Sequence, residues 1–348
     1  MSLPPSGEIP QGAIRFNTDS QKLEFYAQGE WWVMSTDTPN LGTSGDSTPG
    51  ARGVYATGSH ASPINQNTIE FITITSTGNS QNFGDANIAS SEVLGGVASR
   101  ERGVYAGGYV NPAHLDTIEF VTIASTGNAT DFGNLTAGGH GGQGFSNQTR
   151  GIFAIGNNGP GFTATNRNEY ITIQSTGNAI DFGDRITTSS SGACASSTRG
   201  LMFSGNSPSP GAQVNTIQFV TISTLGNGAN FGELPSIHSA GTAAGNATRA
   251  LYMGGSAVSP AGDVNTIEYV TIATLGNAID FGDLTQTPRS TNAVSSPTRV
   301  VRLGGFVPGD TDTMDYVQIM TTGNAVDFGN LLSTTRGGGA CSNGHGGL

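Results

Sequence analysis

Apolar and polar residues alternate along Asp116 to Leu135, DTIEFVTIASTGNATDFGNL, with the period of two that marks a strand. The alternation stops at a Ser/Thr-Gly-Asn turn and resumes in a short Asn/Asp-Phe-Gly step. The same stretch occurs six times in all. The closing phenylalanines Phe83, Phe132, Phe182, Phe231, Phe281 and Phe328 are spaced by 49, 50, 49, 50 and 47 residues. A period near fifty built from short strands predicts propeller blades, each burying its faces against its neighbours. No stretch carries a sustained 3.6-residue apolar period, so an all-β chain is expected.

Each repeat divides into four strands. Strand A is a Gly/Ala/Ser run such as 95–99 or 192–196. Strand B follows an arginine, strand C is the TIEFVTI run, and strand D carries the Phe-Gly step. Strand A, smallest in side chains, is expected innermost, and the phenylalanines are expected between blades as core. Arg52, Arg102, Arg150, Arg199, Arg249 and Arg299 mark six B strands, whereas RGGGACSNGHGGL at the end supplies only an A strand. The N-terminal GAIRFNTDSQKLEFYAQGEWWVM offers three more strands. The expectation is therefore a single seven-bladed propeller with an arm at 1–11, a split blade at 12–34, six repeats over 41–336 and a closing strand at 337–348. In that arrangement 337–344 pairs with 12–18.

Composition narrows the function classes. The 53 glycines suit tight turns and close-packed inner strands, and 11% of residues are charged. The net charge is −11, and Lys22 is the only lysine. Phosphate neutralisation needs a basic stripe, so nucleic acid is not an expected partner. No apolar run is long enough for a membrane span, and the first residues lack a signal-peptide pattern. Cys194 and Cys341 share one repeat phase three repeats apart, which predicts two free, buried thiols.

The repeated arginines and the strand C acids Glu70, Glu119, Glu169, Glu268 and Asp315 have the chemistry of ion pairs. Their recurrence in nearly every blade points to a structural ladder, and Gln218 takes the acid's place once. Asp131, Asp181 and Asp280 are read as turn-closing residues. The five histidines show no metal-ligand spacing, and His140 and His345 are candidates for facing a central channel. Asp310 to Asp315 lacks the glycine and terminal Glu of an EF-hand loop. No catalytic residues, cofactor or metal are expected. Trp31 and Trp32, with Tyr26, form a candidate partner contact. The variable B to C loops, with Tyr109, Phe162 and Phe306, form a candidate binding face.

The R-G-V-Y-x-G-G strand, the acid-bearing strand and the DFG-L step resemble the kelch-type repeats of structural proteins from marine tailed phages, cyanophages above all. GAIRFNTDSQKLEFYAQGEWW resembles a short module of phage tail-fibre and appendage proteins. The repeat has Phe where cellular kelch domains carry a strand D tryptophan. The copper ligands of galactose-oxidase-like kelch enzymes and the Asp-box of sialidases are not found. The resemblance implies a non-enzymatic virion protein, a tail-fibre or appendage component serving host attachment. The alternatives are a capsid or baseplate decoration protein without receptor binding and a lectin-like propeller. Its partners would be other virion proteins, a host surface glycan and, in a homo-oligomer, sister copies.

Overall fold

The computed structural model describes residues 9–17, 22–33, 51–60, 64–158, 163–189, 191–208 and 212–348. All regular structure among them is β. The chain divides into two compact units, 1–47 and 48–348.

In the first unit β1 (Ile14–Asn17), β2 (Lys22–Ala27) and β3 (Glu30–Val33) form an antiparallel meander in the order β1-β2-β3. One face is polar at its edge: Arg15 pairs with Glu24 at 2.8 Å, and its guanidinium lies 4.1 Å over the Trp31 ring. The other face sets Ile14, Phe25 and Trp32 side by side across the three strands.

The second unit contains six four-stranded antiparallel sheets, each in the order A-B-C-D. Sheet I joins Gly339–Ser342, Arg52–His60, Ile64–Thr73 and Gln81–Ser90. Sheet II is Gly96–Ala98, Arg102–Ala106, Thr117–Thr122 and Thr130–Asn134, and sheet III is Gln143–Ser146, Arg150–Ala154, Arg167–Thr172 and Ile180–Asp184. Sheet IV is Gly192–Ala195, Arg199–Asn206, Gln213–Thr221 and Ala229–Glu233. Sheet V is Thr242–Gly245, Arg249–Met253, Thr266–Thr271 and Ile279–Asp283, and sheet VI is Asn292–Ser295, Arg299–Phe306, Asp310–Gln318 and Val326–Asn330.

Two expectations are corrected here. The C-terminal strand does not pair with 12–18; Gly339 to Ser342 pair with Ala56 to Gly53, completing sheet I. The N-terminal meander stays three-stranded, so the described residues contain six four-stranded sheets and no split seventh. The reason lies at the A to B turn. In sheet III the Asn147 side chain accepts the Arg150 N–H at 2.8 Å, and in sheet V Asn246 does the same for Arg249 at 2.9 Å. Asn343 accepts the Arg52 N–H at 2.7 Å, reproducing that turn although the two residues come from opposite ends of the unit. The stretch at 41–50, taken as the first A strand, lies outside the described residues.

Neighbouring sheets are joined by contacts that repeat around the set and return to its start. The turn glycine of each sheet donates its N–H to the strand D phenylalanine of the one before: Gly127 to Phe83 at 2.8 Å, and finally Gly78 to Phe328 at 2.8 Å. Each B-strand arginine reaches forward, Arg52 to the Ile123 carbonyl at 2.7 Å and finally Arg299 to the Ile74 carbonyl at 3.0 Å. Its guanidinium stacks on a strand C aromatic of its own sheet, 4.5 Å over Phe71 in sheet I. This is a propeller-like arrangement. Its core lies in six apolar wedges, each drawn from two adjacent sheets.

The repeated phenylalanines are buried at 2–3% exposure, as expected. Each meets a strand C ring edge-on, with centroids 6.0 Å apart for Phe71 and Phe83. The strand C aromatic itself is only half-buried, since it carries the arginine. Cys194 and Cys341 are free and buried, and burial pushes both thiols up to about 12.

Candidate functional site

The strand C acids are not paired with the arginines that open the B strands; only Asp315 meets an arginine further along its B strand, Arg302. Four of the five accept an N–H from the residue four places after the strand D phenylalanine of the preceding sheet: Leu332 to Glu70 at 2.8 Å, Asn87 to Glu119 at 3.1 Å, Thr136 to Glu169 at 2.9 Å and Thr285 to Asp315 at 3.1 Å. Gln218 keeps the contact, accepting from Ile186 at 2.7 Å. The ladder is structural, as its recurrence predicted. Asp131, Asp181 and Asp280 sit within strand D opposite these acids rather than closing turns. The side chains that do bridge the turns are the asparagines after the turn glycines, as where Asn128 accepts the Asp85 N–H at 3.0 Å.

One junction departs from the pattern. The position that donates to Glu268 is occupied by Pro235, which has no N–H. His238 stands there instead, with its Nε2 3.6 Å from Glu268 Oε2, and neither atom has a hydrogen-bond partner. Burial, then the neighbouring Asp280, raises the Glu268 carboxyl to about 7. Burial lowers His238 to about 4.

The six A strands line a narrow channel with a cavity of about 60 Å³, enough for a few waters. Its far end is filled by residues 345–347. His345 Nε2 lies 3.0 Å from the Ala98 carbonyl and 3.2 Å from Ser146 Oγ, and burial lowers it to about 4. His345 therefore does line the channel.

At the opposite end, where the A strands begin, the channel widens into a bowl of about 590 Å³. That size suits a small ligand or a short oligomer. One residue per sheet, just before strand A, takes a left-handed backbone: Glu92, Gly141, Ser189, Ala240, Ser290 and Gly337, with φ between 51° and 63°. All six line the bowl. Backbone bonds link neighbours in this collar, Gly141 N–H to Glu92 C=O at 2.7 Å and Ser290 N–H to Ala240 C=O at 2.7 Å. For a residue other than glycine this conformation costs on the order of 1 kcal/mol.

Amides and hydroxyls dominate the remaining lining, among them Asn65, Asn111, Asn157, Asn206 and Gln213. Among the described residues the only charged side chains in it are Glu92 and Arg336. Tyr109 is the one aromatic among them. Its ring packs on His114 and His140, with centroids 5.3 and 5.4 Å away. His114 Nδ1 and His140 Nδ1 are 2.8 Å apart, so one must be unprotonated. Burial, then His114, lowers His140 to about 4, so the imidazole facing Glu92 at 3.5 Å is neutral at neutral pH.

The structure thus brings Tyr109 into the bowl. Phe306 is clamped between Arg289 and Arg336, whose guanidiniums lie 4.4 and 5.0 Å over its ring, and its neighbour Arg336 reaches the bowl. Phe162 lies outside the described residues. In the N-terminal unit Trp32 is exposed, with its indole N–H donating to the Ala27 carbonyl at 3.0 Å. Tyr26 is buried and packs on Trp31, centroids 5.3 Å apart, so neither joins Trp32 on the exposed face. The arm at 1–11 falls mostly outside the described residues.

The Asp310 to Asp315 stretch is committed elsewhere, with Asp310 3.4 Å from Arg336 and Asp315 2.8 Å from the fully buried Arg302. No three His, Cys, Asp or Glu residues converge as a metal-binding group among the described residues. Glu92 escaped the sequence reading because it lies between repeat motifs; the available signal was that the corresponding slots hold Gly, Ser or Ala. Compared with known proteins, the chain matches no protein-family model and no curated sequence.

Proposed function

We propose that the chain is a non-enzymatic structural protein of a tailed-phage virion, a tail-fibre or appendage component that presents its bowl to the host surface and holds a glycan there. The six sheets act as blades of one closed, kelch-type propeller. The observation that carries this reading is the bowl itself. Everything that repeats in the chain is spent on joining sheets, and the side chains that do not repeat converge at one mouth lined by amides, hydroxyls and a tyrosine. Such a lining suits a polyhydroxylated ligand, which needs many hydrogen-bond partners and little charge. The repeat's resemblance to phage kelch-type proteins supplies the virion setting, and the exposed Trp32 supplies a contact for another virion protein or a sister copy.

Purified protein is expected to bind host cells or their extracted surface polysaccharide, and Asn157→Ala with Asn206→Ala to weaken that binding at least tenfold. Absence of binding by the multivalent, particle-borne protein leaves the purely structural alternative, a decoration protein. Immunogold labelling then separates the two: a peripheral position with the bowl outward supports attachment, and a position buried between shell subunits removes it. Ring closure has its own test. Deleting 339–348 strips strand A from sheet I, and a melting temperature unchanged by that deletion overturns closure.

A further inference from the structure

Glu92 is the one long, charged side chain among six left-handed collar positions whose other occupants are Gly141, Ser189, Ala240, Ser290 and Gly337. Glycine is the residue that meets this backbone without strain, and Gly141 and Gly337 fill equivalent places. The fold gains little from the side chain in exchange. Its side chain is 57% exposed, lies 3.5 Å from the neutral His140 and makes no hydrogen bond to it, while burial raises its carboxyl and the charge of Arg336 works against that rise. A residue in a strained backbone conformation, with its charged side chain more than half exposed at the rim of a concave site, is the pattern that marks a functional position.

The surroundings indicate the ligand. Among the described residues Glu92 is the only carboxylate lining the bowl and Arg336, itself 3.4 Å from Asp310, the only cation, so the bowl offers no cluster of like charge for an ionic ligand. Tyr109 stands in the same wall, its ring fixed by His114 and His140. A carboxylate accepts two hydrogen bonds side by side, and adjacent hydroxyls of a sugar ring offer two such donors. A tyrosine beside it offers an apolar face to the sugar's C–H groups. Resting on the glycan reading above, we infer that Glu92 is the bowl's sugar-binding carboxylate, accepting hydrogen bonds from two neighbouring hydroxyls of an uncharged glycan.

The test uses the full chain, Glu92→Gly and Glu92→Gln on columns of dextran, galactan, mannan and, as an amine-bearing control, chitosan. Wild type is expected on at least one neutral polymer, with little effect of salt. Glu92→Gly is expected to lose at least tenfold in affinity while its melting temperature rises by about 2 °C as backbone strain is relieved. Glu92→Gln, which keeps one acceptor oxygen, is expected to lose less. Equal retention of Glu92→Gly and wild type overturns the assignment, and so does a lower melting temperature of Glu92→Gly, which makes the residue structural. Retention on chitosan alone, abolished by salt, overturns it in favour of an amine site. Wild type retained on none of the neutral polymers overturns the glycan reading itself, a failure distinct from that of Glu92.

Discussion

The junction between sheets IV and V can be set against the one between sheets II and III. At the latter, Thr136 donates both its N–H and its hydroxyl to Glu169, which Arg167 also contacts at 2.8 Å. At the former, Pro235 donates nothing, and Glu268 faces only a neutral imidazole. Both acids are buried in the same slot of the same repeat. The difference shows what the ladder does: burial raises the strand C carboxyls, as at Glu70 and Glu119, the donors of the preceding sheet work against that rise, and where a proline takes the donor's place Glu268 is raised to about 7.

The largest effect is expected where the ladder is strongest. Asp315 accepts from Thr285 and pairs with Arg302, the Asp315 and Arg302 side chains being fully buried. Arg302→Met leaves that carboxylate without its counter-charge and is expected to cost about 3–5 kcal/mol in chemical denaturation. A loss under 1 kcal/mol removes the claim that the slot needs donors. Next comes the pH dependence that Glu268 and His238 impose. Glu268 is raised from 4.5, so its contribution is full at low pH and fades as pH climbs through about 7. His238 is lowered from 6.5 to about 4, so it takes up a proton in the unfolded chain first, and stability falls as pH drops from 6.5 towards 4. Between about 4.5 and 6.5 the folded and unfolded chains hold equal numbers of protons on this pair, and the two slopes cancel. The expected profile is a plateau with a decline on either side. Glu268→Gln should remove the alkaline decline and leave the His238 slope uncancelled, turning the plateau into a rise of about 3 kcal/mol between pH 4.5 and 6.5; a plateau that survives in the variant counts against the assignment. Smallest is the repair of the junction. Pro235→Thr should restore donors like those of Thr136 and stabilise by about 1 kcal/mol at pH 8, the gain being offset in part by a freer unfolded chain. Titration of Glu268 followed by NMR should then move to lower pH.

Much of this was legible from the chain alone. Strand type, the inner place of the Ala/Gly strands and the buried phenylalanines follow from a pattern of two and a pattern of fifty. The sequence points to seven units where the described residues form six four-stranded sheets, because pairing across a break in sequence carries no local signal beyond the match of Asn343 to Asn147 and Asn246. The arginines were recognised as structural, yet their partners are main-chain carbonyls in the next sheet, which no side-chain pattern encodes. The bowl was read only through Tyr109. Its collar depends on backbone angles, and Ser, Ala and Glu at φ near +60° look ordinary in a sequence.

The residues packed into the far end of the channel give the bowl a floor. A ring open at both ends would let a polymer pass through, and any repeat along its length would serve as the epitope. Here residues 345 and 346 occupy that end. Under the glycan reading proposed above, a polysaccharide would then have to offer the bowl a chain end, a branch or a bend, and binding to a cell would scale with its termini and branch points rather than with the mass of polymer it displays.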